Sequence, residues 1–371
     1  MKKEKILFII WSFSYGGGAE KILANLINGL DDEKYEVDVL EFYYAGIKEE
    51  IINKDINRLK PILDGTKKGI INKLKIKIIN KLVLVFPRLI RKIYLNKKYD
   101  IEIAFNYMIP SFLLDKNNKK TLAWVHSSIY DLNDNKMYKR LQKRHFKKIG
   151  RIISISNLTN NSIIELYPEL ENKVRKIYNG FNFDEIIENA KLNEKNVEKA
   201  DLLYCGRLED RKKPLRLLDI TKELTKIYPN IKVGYLGSGD LEKELKEKIK
   251  QLDLEQNVIL YGFQKNPYRV IKNARIMCVT SCSEGFPTVI VEGMVLGKPF
   301  VSTPVAGTSE LSCNEKCGFV TDDNEKYANI IVELLTNKEM YNDMSKNCLS
   351  ECKKYTIENQ VKELEKILEE I

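Results

Sequence analysis

Apolar runs alternate with amphipathic segments along the chain, and this alternation predicts helices packed on parallel sheets. In the first half, residues 6–11 and 36–42 have the continuously apolar or period-two pattern of strands. Between them, residues 19–30 have the apolar spacing of a helix. A helix that connects two such strands is typical of a parallel sheet. We therefore expect a doubly wound α/β domain in the first half.

The same alternation begins again at residues 201–205 and predicts a second domain of the same class. Its further expected elements are a helix from Pro214, a strand at 232–236, a helix from Asp240, and strands at 258–261 and 276–280. The expected boundaries are 1–183 for the N-terminal domain, 184–200 for a charged connection, 201–355 for the second domain, and 356–371 for an amphipathic C-terminal helix that can return to the first domain.

Length and composition agree with two folded domains. The 371 residues exceed what one core usually organises, and 43% of them are apolar. The opening MKKEKILFIIW resembles the start of a signal peptide, but a charged, glycine-rich stretch follows it without a small-residue cleavage site. No apolar run approaches the roughly 20 residues of a membrane-spanning helix, so we do not expect the chain to cross a bilayer.

Positive charge is concentrated in the first half. Residues 1–183 contain 34 Lys and Arg against 20 Asp and Glu, a net +14, whereas the whole chain has a net +10. Residues 67–98, the basic segment, have no acidic residue and eleven cations: Lys67, Lys68, Lys73, Lys75, Lys77, Lys81, Arg88, Arg91, Lys92, Lys97 and Lys98. The charge therefore indicates a negatively charged partner for the first domain.

The basic segment also carries apolar residues between its cations, which suits the surface of an anionic bilayer. Ile78, Leu82, Val85 and Phe86 are expected to insert while the cations meet lipid headgroups. The alternative is a helix pair that packs on its own domain with solvated lysines. No recognition motif accompanies the charge, so a nucleic-acid partner is not expected.

The seven cysteines all lie in the second half, and six form pairs four residues apart: Cys278 with Cys282, Cys313 with Cys317, and Cys348 with Cys352. Structural zinc sites usually have C-x2-C spacing and histidine partners, whereas the two histidines, His126 and His145, lie in the first half. We therefore expect reduced thiols and no metal site.

Four loops that follow expected strands carry the candidate chemistry, because ligands of open α/β sheets bind beyond the carboxyl ends of the strands. The first is 14–20, where Gly17 and Gly18 let a ligand approach the backbone and the next helix offers N–H groups to an anion. The loop is not G-x-G-x-x-G, so a dinucleotide site is not indicated. The alternative is a simple strand-to-helix turn.

The second loop, 206–213, is basic. Arg207 and Lys212 are placed to meet a diphosphate, Arg207 through a fork of N–H donors and Lys212 as a mobile point charge. The alternative is a solvated surface turn.

The third loop, 283–292, carries Glu-Gly-Phe-Pro between an expected strand and a helix that should begin near Thr288. Such a helix start attracts anions. Glu292 would lie about one turn into this helix, where its carboxylate could accept hydrogen bonds from sugar hydroxyls. Two surface glutamates eight residues apart, Glu284 and Glu292, are the alternative.

The fourth loop, 122–128, places His126 just past an apolar strand. A lone histidine is more often structural than catalytic, but its place at the carboxyl end of a strand favours a role in the site.

These loops together resemble the family 4 glycosyltransferases, retaining enzymes with the GT-B fold of two Rossmann-like domains. The resemblance runs over essentially the whole chain. It is most specific at 206–208 with Lys212, at 284–292, and at 305–310 (Val-Ala-Gly-Thr-Ser-Glu). Residues 17–20 and 179–182 agree less distinctively.

The resemblance implies a role for each of these loops. Arg207 and Lys212 would bind the donor diphosphate, Glu292 the ribose, and Glu284 with the following backbone the transferred sugar. Gly17 and Gly18 would close over the phosphates from the opposite domain, and His126 would lie beside the sugar. The residues expected at the reacting bond are His126, Arg207, Lys212 and Glu284, and those expected to contact the donor are Gly17, Gly18, Arg207, Lys212, Gly262, Phe263, Glu284, Gly285, Phe286, Pro287, Thr288, Val289 and Glu292.

The resemblance also implies that protein cations and a helix start stabilise the leaving diphosphate without a metal or another cofactor. No Asp-x-Asp ends an apolar strand, and no protein nucleophile is assigned. Glu-Gly-Phe-Pro, rather than Glu-Gly-Phe-Gly, favours a UDP-hexose or UDP-N-acetylhexosamine as donor. A lipid-linked glycan of surface-polysaccharide synthesis is the expected acceptor, at the cytoplasmic face of the membrane.

Two other interpretations fit the same architecture. A nucleotide-sugar 2-epimerase would need no acceptor and would leave the basic segment unexplained. An inactive glycan-binding protein would be expected to have lost donor residues, whereas Arg207, Lys212, Glu284 and Glu292 are all present.

Overall fold

The computed structural model describes residues 2–47, 52–67, 69–95, 97–127, 129, 136–192 and 197–371. Lys68 of the basic segment, Ser128 of the fourth loop and residues 193–196 of the expected connection lie outside these ranges. The chain divides into two compact units, Met1–Gly180 with Ile357–Ile371, and Phe181–Thr356.

All paired strands in the described ranges are parallel to their neighbours. The strands are β1 (Glu4–Ile10), β2 (Tyr35–Glu41), β3 (Tyr43–Tyr44), β4 (Asn57–Arg58), β5 (Leu63–Asp64), β6 (Ile101–Ala104), β7 (Thr121–Val125), β8 (Arg151–Ser154), β9 (Val174–Lys176), β10 (Ala200–Cys205), β11 (Val233–Leu236), β12 (Val258–Gly262), β13 (Ala274–Val279), β14 (Phe300–Ser302) and β15 (Gly318–Val320).

Helices connect most of these strands, as parallel pairing requires. They are α1 (Gly18–Gly29), α2 (Ile70–Val85), α3 (Pro87–Tyr94), α4 (Ile109–Phe112), α5 (Lys136–Phe146), α6 (Asn157–Leu166), α7 (Phe183–Lys191), α8 (Pro214–Thr225), α9 (Glu242–Gln251), α10 (Tyr268–Asn273), α11 (Thr288–Val295), α12 (Thr308–Ser312), α13 (Asn324–Thr336), α14 (Lys338–Glu351) and α15 (Ile357–Glu369).

The first unit contains a seven-stranded sheet with the order β4-β2-β1-β6-β7-β8-β9. The apolar run of β1 is fully buried, because a central parallel strand is covered on both faces. The strand order reverses between β1 and β6, so the loops that follow these two strands share one edge of the sheet. A separate two-stranded sheet pairs β3 with β5.

The C-terminal helix α15 returns to the first unit, as the sequence allowed. It packs on α1 at Gly29, where a Cβ atom would lie only 2.2 Å from a methyl carbon of Ile357. On its polar side, Lys34 pairs with Glu365 at 2.9 Å.

The second unit contains a six-stranded sheet with the order β12-β11-β10-β13-β14-β15. Helix α8 begins at Pro214 as predicted, since the missing N–H of proline has no partner to lose in the first turn. The helix expected from Asp240 begins two residues later, at Glu242, and the Leu241 N–H that precedes it donates to the carbonyl oxygen of Leu208. Helix α7, within the expected connection, belongs to this unit.

The basic segment forms helices α2 and α3 in the first unit. Large apolar side chains are between 48 and 85% exposed along both helices: Ile70, Leu74, Ile78, Val85, Phe86, Leu89 and Ile93. No helix in the described ranges is both long and apolar enough to cross a bilayer.

Three residues of the basic segment correct the expectation that its cations and apolar side chains face outward. Arg91 turns inward and pairs through both terminal nitrogens with Glu102, at 2.6 and 2.9 Å. Lys97 contacts the buried Asp38 at 3.3 Å. Leu82 packs against the hydrophobic core of the unit. Arg91 and Lys97 supply the cations that buried carboxylates require, and Leu82 belongs to the core. All three side chains are therefore part of the fold.

Candidate functional site

In the second unit, the loops after β10 and β13 meet at the point where the strand order reverses. Lys212 Nζ lies 2.5 Å from Glu284 Oε1, and Ser281 Oγ donates to the same oxygen at 2.6 Å. The Lys212 and Glu284 side chains are 24 and 10% exposed. Two residues that were predicted separately for diphosphate and sugar thus form one partly buried ion pair.

The basic loop after β10 is fixed by its backbone. Thr280 Oγ1 donates to the carbonyl oxygens of Lys212 and Lys213, and Lys213 has a left-handed φ of 47°. Tyr204 Oη donates to the carbonyl oxygen of Arg207 at 2.7 Å. The Arg207 side chain is exposed. The loop therefore presents Arg207 and Lys212 from a main chain that is already held in place.

The buried side chain of Phe286 holds the Glu-Gly-Phe-Pro loop in place. Its ring is buried, lies edge-on to Tyr355 at 5.5 Å between centroids, and fills the space beside Gly307. A Cβ atom at Gly307 would lie 2.5 Å from the Phe286 ring, and the Gly307 φ of 87° also favours glycine. The Glu-Gly-Phe-Pro and Val-Ala-Gly-Thr-Ser-Glu motifs are therefore parts of one packed unit.

Helix α11 begins at Thr288 as predicted, and no side chain caps its N-terminus. Its first-turn N–H groups are therefore not bonded by a capping side chain. Glu292, one turn further on, is 8% exposed, and Tyr268 Oη lies 3.5 Å from its Oε1.

The charge of Glu292 acts on the end of β10. Burial and then the Glu292 carboxylate raise the pKa of the Cys205 thiol well above its ordinary value, while Lys212 acts in the opposite direction. Burial and Glu292 raise the pKa of Tyr268 in the same way. Cys205, the last residue of β10, is therefore within electrostatic reach of both Glu292 and Lys212.

Sequence reasoning missed a glycine-rich loop after β11. A Cβ atom at Gly237 would lie 2.0 Å from the carbonyl oxygen of Gly206, and one at Gly239 would lie 2.5 Å from that of Leu208. The Leu208 N–H donates to the Ser238 carbonyl oxygen at 3.0 Å. The main chain of this loop therefore packs directly against the main chain of the loop after β10. The Gly-Ser-Gly sequence directly after an expected strand was the signal that could have predicted the loop.

The loop after β12 continues the same edge of the sheet. Gly262 has a φ of 66°, and its carbonyl oxygen accepts from the Gly237 N–H at 2.9 Å. Phe263 is 73% exposed, so one face of its ring is available to a ligand.

In the first unit, the Glu41 carboxylate organises the loop after β1. Its Oε1 accepts hydrogen bonds from the N–H groups of Phe13 and Ser14 at 2.7 and 2.9 Å, and from the Ser12 and Ser14 hydroxyls at 3.0 and 2.6 Å. Sequence reasoning also missed this role. An acidic residue at the end of a strand was the only signal.

Gly17 precedes α1 without a side-chain cap, and Gly18 is the first residue of that helix. The space beside Gly17 holds the Glu20 carboxylate, whose Oε2 lies 2.5 Å from the place of a Cβ atom. The Glu20 carboxylate therefore lies beside Gly17, and the approach of a ligand to this glycine stays a prediction.

His126 lies among aromatic side chains at the end of β7. Its ring centroid is 4.5 Å from that of Phe105 and 6.3 Å from that of Trp124. Burial lowers the pKa of His126 to about 4, and its Nε2 is buried without a hydrogen-bond partner in the described chain. The imidazole is therefore neutral near pH 7. One of its ring nitrogens can donate a hydrogen bond and the other can accept one, but the ring contributes no charge.

The predicted site residues thus fall into two sets. Arg207, Lys212, Glu284 and Glu292 belong to the second unit, and Gly17, Gly18 and His126 belong to the first. All seven cysteines are free thiols. In the described ranges, no three His, Cys, Asp or Glu side chains are grouped so that they could hold a metal ion.

Two family models match the chain. The model described as Glycosyltransferase Family 4 matches residues 16–185, and the model described as Glycosyl transferases group 1 matches residues 185–349. Together they cover nearly the whole chain and meet close to the boundary between the two units.

Curated relatives extend over the full length. An uncharacterized glycosyltransferase of Methanocaldococcus jannaschii is 27% identical over 386 residues, which is 91% of this chain and 93% of that protein. A Campylobacter jejuni GalNAc-α-(1→4)-GalNAc-α-(1→3)-diNAcBac-PP-undecaprenol α-1,4-N-acetyl-D-galactosaminyltransferase is 25% identical over 380 residues, 99% of each chain.

A solved structure shows the same fold. Anabaena Alr3699/HepE in complex with UDP superposes with a TM-score of 0.74 at 18% identity, covering 99% of this chain and 100% of that one.

Proposed function

Because this chain belongs to the family 4 glycosyltransferases and has their GT-B fold of two Rossmann-like domains, we propose that it moves a hexose or N-acetylhexosamine from a UDP-sugar to a lipid-linked glycan with retention of configuration. The observation that carries the proposal is the Lys212–Glu284 ion pair at the switch point of the second unit, with the buried Glu292 carboxylate within electrostatic reach of the end of β10.

In the proposed reaction, the bond between the anomeric carbon and the diphosphate breaks, and negative charge grows on the leaving diphosphate. Lys212, Arg207 and the first N–H groups of α11 stabilise that charge, since they are already oriented before the reaction begins. Glu292 holds the ribose hydroxyls. The aromatic face of Phe263 is the proposed support for the base.

Glu284 has two tasks in this arrangement. Its Oε1 holds the Lys212 ammonium in position, and its second carboxylate oxygen is available for a hydroxyl of the transferred sugar. An ammonium has three donors, so Lys212 can keep its bond to Glu284 while it donates to the diphosphate. The ion pair therefore links the position of the sugar to that of the leaving group.

We further propose that the leaving-group chemistry needs no metal or other cofactor. Protein cations and a helix start supply the positive potential that a bridging metal would give. The sequence has no Asp-x-Asp at the end of an apolar strand for holding such a metal.

The proposed acceptor is a glycan on an undecaprenyl diphosphate-type lipid, used in bacterial surface-polysaccharide synthesis. The name of the Campylobacter jejuni relative states an acceptor of this class, and UDP is the ligand in the Anabaena structure. In this chain, the exposed apolar side chains and lysines of α2 and α3 support docking at the cytoplasmic face of the membrane.

A panel of nucleotide sugars tests the proposal. The purified protein is incubated with each UDP- and GDP-sugar, with and without membrane extract, and nucleoside diphosphate release is measured. We expect release from a UDP-sugar that rises strongly when membrane extract supplies the acceptor. Conversion of the UDP-sugar to its 2-epimer without extract, or no release from any donor, would overturn the proposal.

A further inference from the structure

The first unit contains a pocket that uses none of the residues assigned to the donor. It lies where the end of α2, α4 and α5 meet and has a volume of about 180 Å³. Such a volume exceeds that of several water molecules, so a phosphate group can enter it. Its apolar wall includes Val85, Pro87 and Phe112, and its charged wall is formed by Lys116, Arg144 and Lys148.

The charged wall of this pocket has no acidic counterpart. Lys116, Arg144 and Lys148 make no ion pair in the described chain, and no carboxylate lines the pocket. Burial and then the nearby charges of Lys148, Arg88 and Arg144 lower the pKa of Lys116. Asp115 lines an adjoining recess together with Arg88 and Lys116. The fold thus holds four cations near one another, and an anion would relieve their mutual repulsion.

The neutral ring of His145 lines the same pocket. It is 3% exposed and lines the pocket, its Nε2 contacts the carbonyl oxygen of Ser111, and its Nδ1 has no hydrogen-bond partner in the described chain. An Nε2–H that donates to a carbonyl leaves a lone pair on Nδ1. The three cations are therefore the groups that can hold a phosphate, and the His145 ring lies beside them in the pocket lining.

We propose that this pocket binds the headgroup of an anionic phospholipid, with Lys116, Arg144 and Lys148 on the phosphate and the neutral ring of His145 beside it. The exposed side chains of Val85, Phe86 and Leu89 stand at the same helix junction. A lipid can thus place its phosphate in the pocket while its acyl chains stay in the bilayer that these apolar residues enter. The inference deepens the membrane part of the proposed function and rests on it.

Monomeric dihexanoylphosphatidylglycerol, below its micelle concentration, tests the pocket without a bilayer. Wild type is compared by calorimetry with the Lys116→Ala, Arg144→Ala double variant. The matched control is Lys2→Ala, Lys3→Ala, which removes two exposed charges of the first unit outside both the pocket and the basic segment. We expect saturable one-to-one binding to wild type and control, weakened at least about tenfold in the pocket variant, since each lost contact is charge-assisted. Equal binding to all three proteins, or to none, would overturn the proposal.

Nitrogen NMR gives a readout that does not depend on a variant. The chain has only two histidines, His126 and His145, so their ring nitrogens can be assigned. The lipid should shift the ring-nitrogen signals of His145, which lines the pocket, and leave those of His126 unchanged. No shift at His145 under saturating lipid would show that the lipid binds outside this pocket and would overturn the proposal. Displacement of the lipid by an equal concentration of inorganic phosphate would show a small-anion site instead.

Vesicles separate a failure of the pocket from a failure of membrane docking. With phosphatidylcholine vesicles that contain phosphatidylglycerol, we expect the pocket variant to bind more weakly than the control variant. Equal vesicle binding of these two variants would overturn the pocket and leave the membrane proposal standing. Binding of the short-chain lipid without any vesicle binding would support the pocket and refute membrane docking.

Discussion

Replacing Glu284 by Gln separates the two tasks that the structure gives to this residue. Glutamine keeps the shape of the side chain but removes its charge, so Lys212 loses its ion-pair partner and Ser281 keeps an acceptor. A hydrogen bond between charged groups contributes about 1.5–3 kcal/mol when buried. Lys212 is 24% exposed, so we reduce this to about 1–2 kcal/mol for the lost free energy of unfolding.

UDP and the complete donor should respond differently to Glu284→Gln. UDP has no sugar, and in the variant the Lys212 ammonium is no longer shared, so the affinity for UDP should stay equal or rise. Transfer should fall at least about tenfold, because the carboxylate contact to the sugar is lost at the reacting centre. The matched control is Lys212→Met, which should weaken UDP binding about tenfold or more.

Calorimetry with UDP, denaturant unfolding and a transfer assay on both single variants and the double variant check this. Each single variant should lose free energy of unfolding, and the sum of the two losses should exceed the loss of the double variant, since the same ion pair is broken in all three proteins. A tenfold loss of UDP affinity in Glu284→Gln, equal to that of Lys212→Met, would refute the division of tasks. So would unchanged transfer.

Four further outcomes are expected. Glu292→Gln and Arg207→Ala should each lower transfer at least about tenfold without unfolding the protein, and near-normal rates in both would contradict the assigned donor contacts. EDTA should leave the transfer rate largely unchanged, whereas a loss restored only by a divalent ion would contradict the metal-free leaving group. Changing Lys73, Lys75, Lys77 and Lys81, all exposed, to Glu should abolish binding to anionic vesicles and lower lipid-acceptor transfer, and full activity would show that α2 is only a solvated face. Burial lowers the pKa of His145 from 6.5 to about 4, so the unfolded chain binds this proton before the folded chain does. The free energy of unfolding should therefore fall as the pH drops below 6.5, by about 2 kcal/mol at pH 5. Denaturation of His145→Gln should depend less on pH in this range, and an unchanged dependence would show that His145 is not held neutral.

Signals that are local in sequence predicted the fold well. The apolar run of β1 and the proline that opens α8 each fix an element without reference to the rest of the chain. The start of α11 at Thr288 was predicted in the same way, from a Gly-Phe-Pro loop between a strand and a helix. The alternation of strand and helix patterns occurs in both halves of the chain, and this was enough to predict two doubly wound units.

Contacts between distant residues could not be read from the sequence. Lys212 and Glu284 are 72 positions apart, and only the order of β10 and β13 brings them together. Arg91 looked like one more surface cation, but it neutralises Glu102, which is buried in a central strand. A charge pattern records which residues carry charge, whereas burial depends on a partner across the fold.

The loop after β11 was a different kind of omission. Gly237 and Gly239 gave a local signal, but a glycine pair after a strand does not say what approaches it. The structure shows that it is the backbone of the loop at Gly206 and Leu208.

The most direct test of the central claim follows labelled sugar from donor to lipid. Radiolabelled UDP-hexoses and UDP-N-acetylhexosamines are offered with undecaprenyl-diphosphate-linked glycans, and the label in the organic phase is compared for wild type and Glu292→Gln. The account predicts labelled lipid product with wild type from a UDP-sugar, reduced at least about tenfold in the variant. Labelled product at equal rates with both proteins, or no transfer by wild type from any of these donors, would contradict a donor site at the switch point of the second unit.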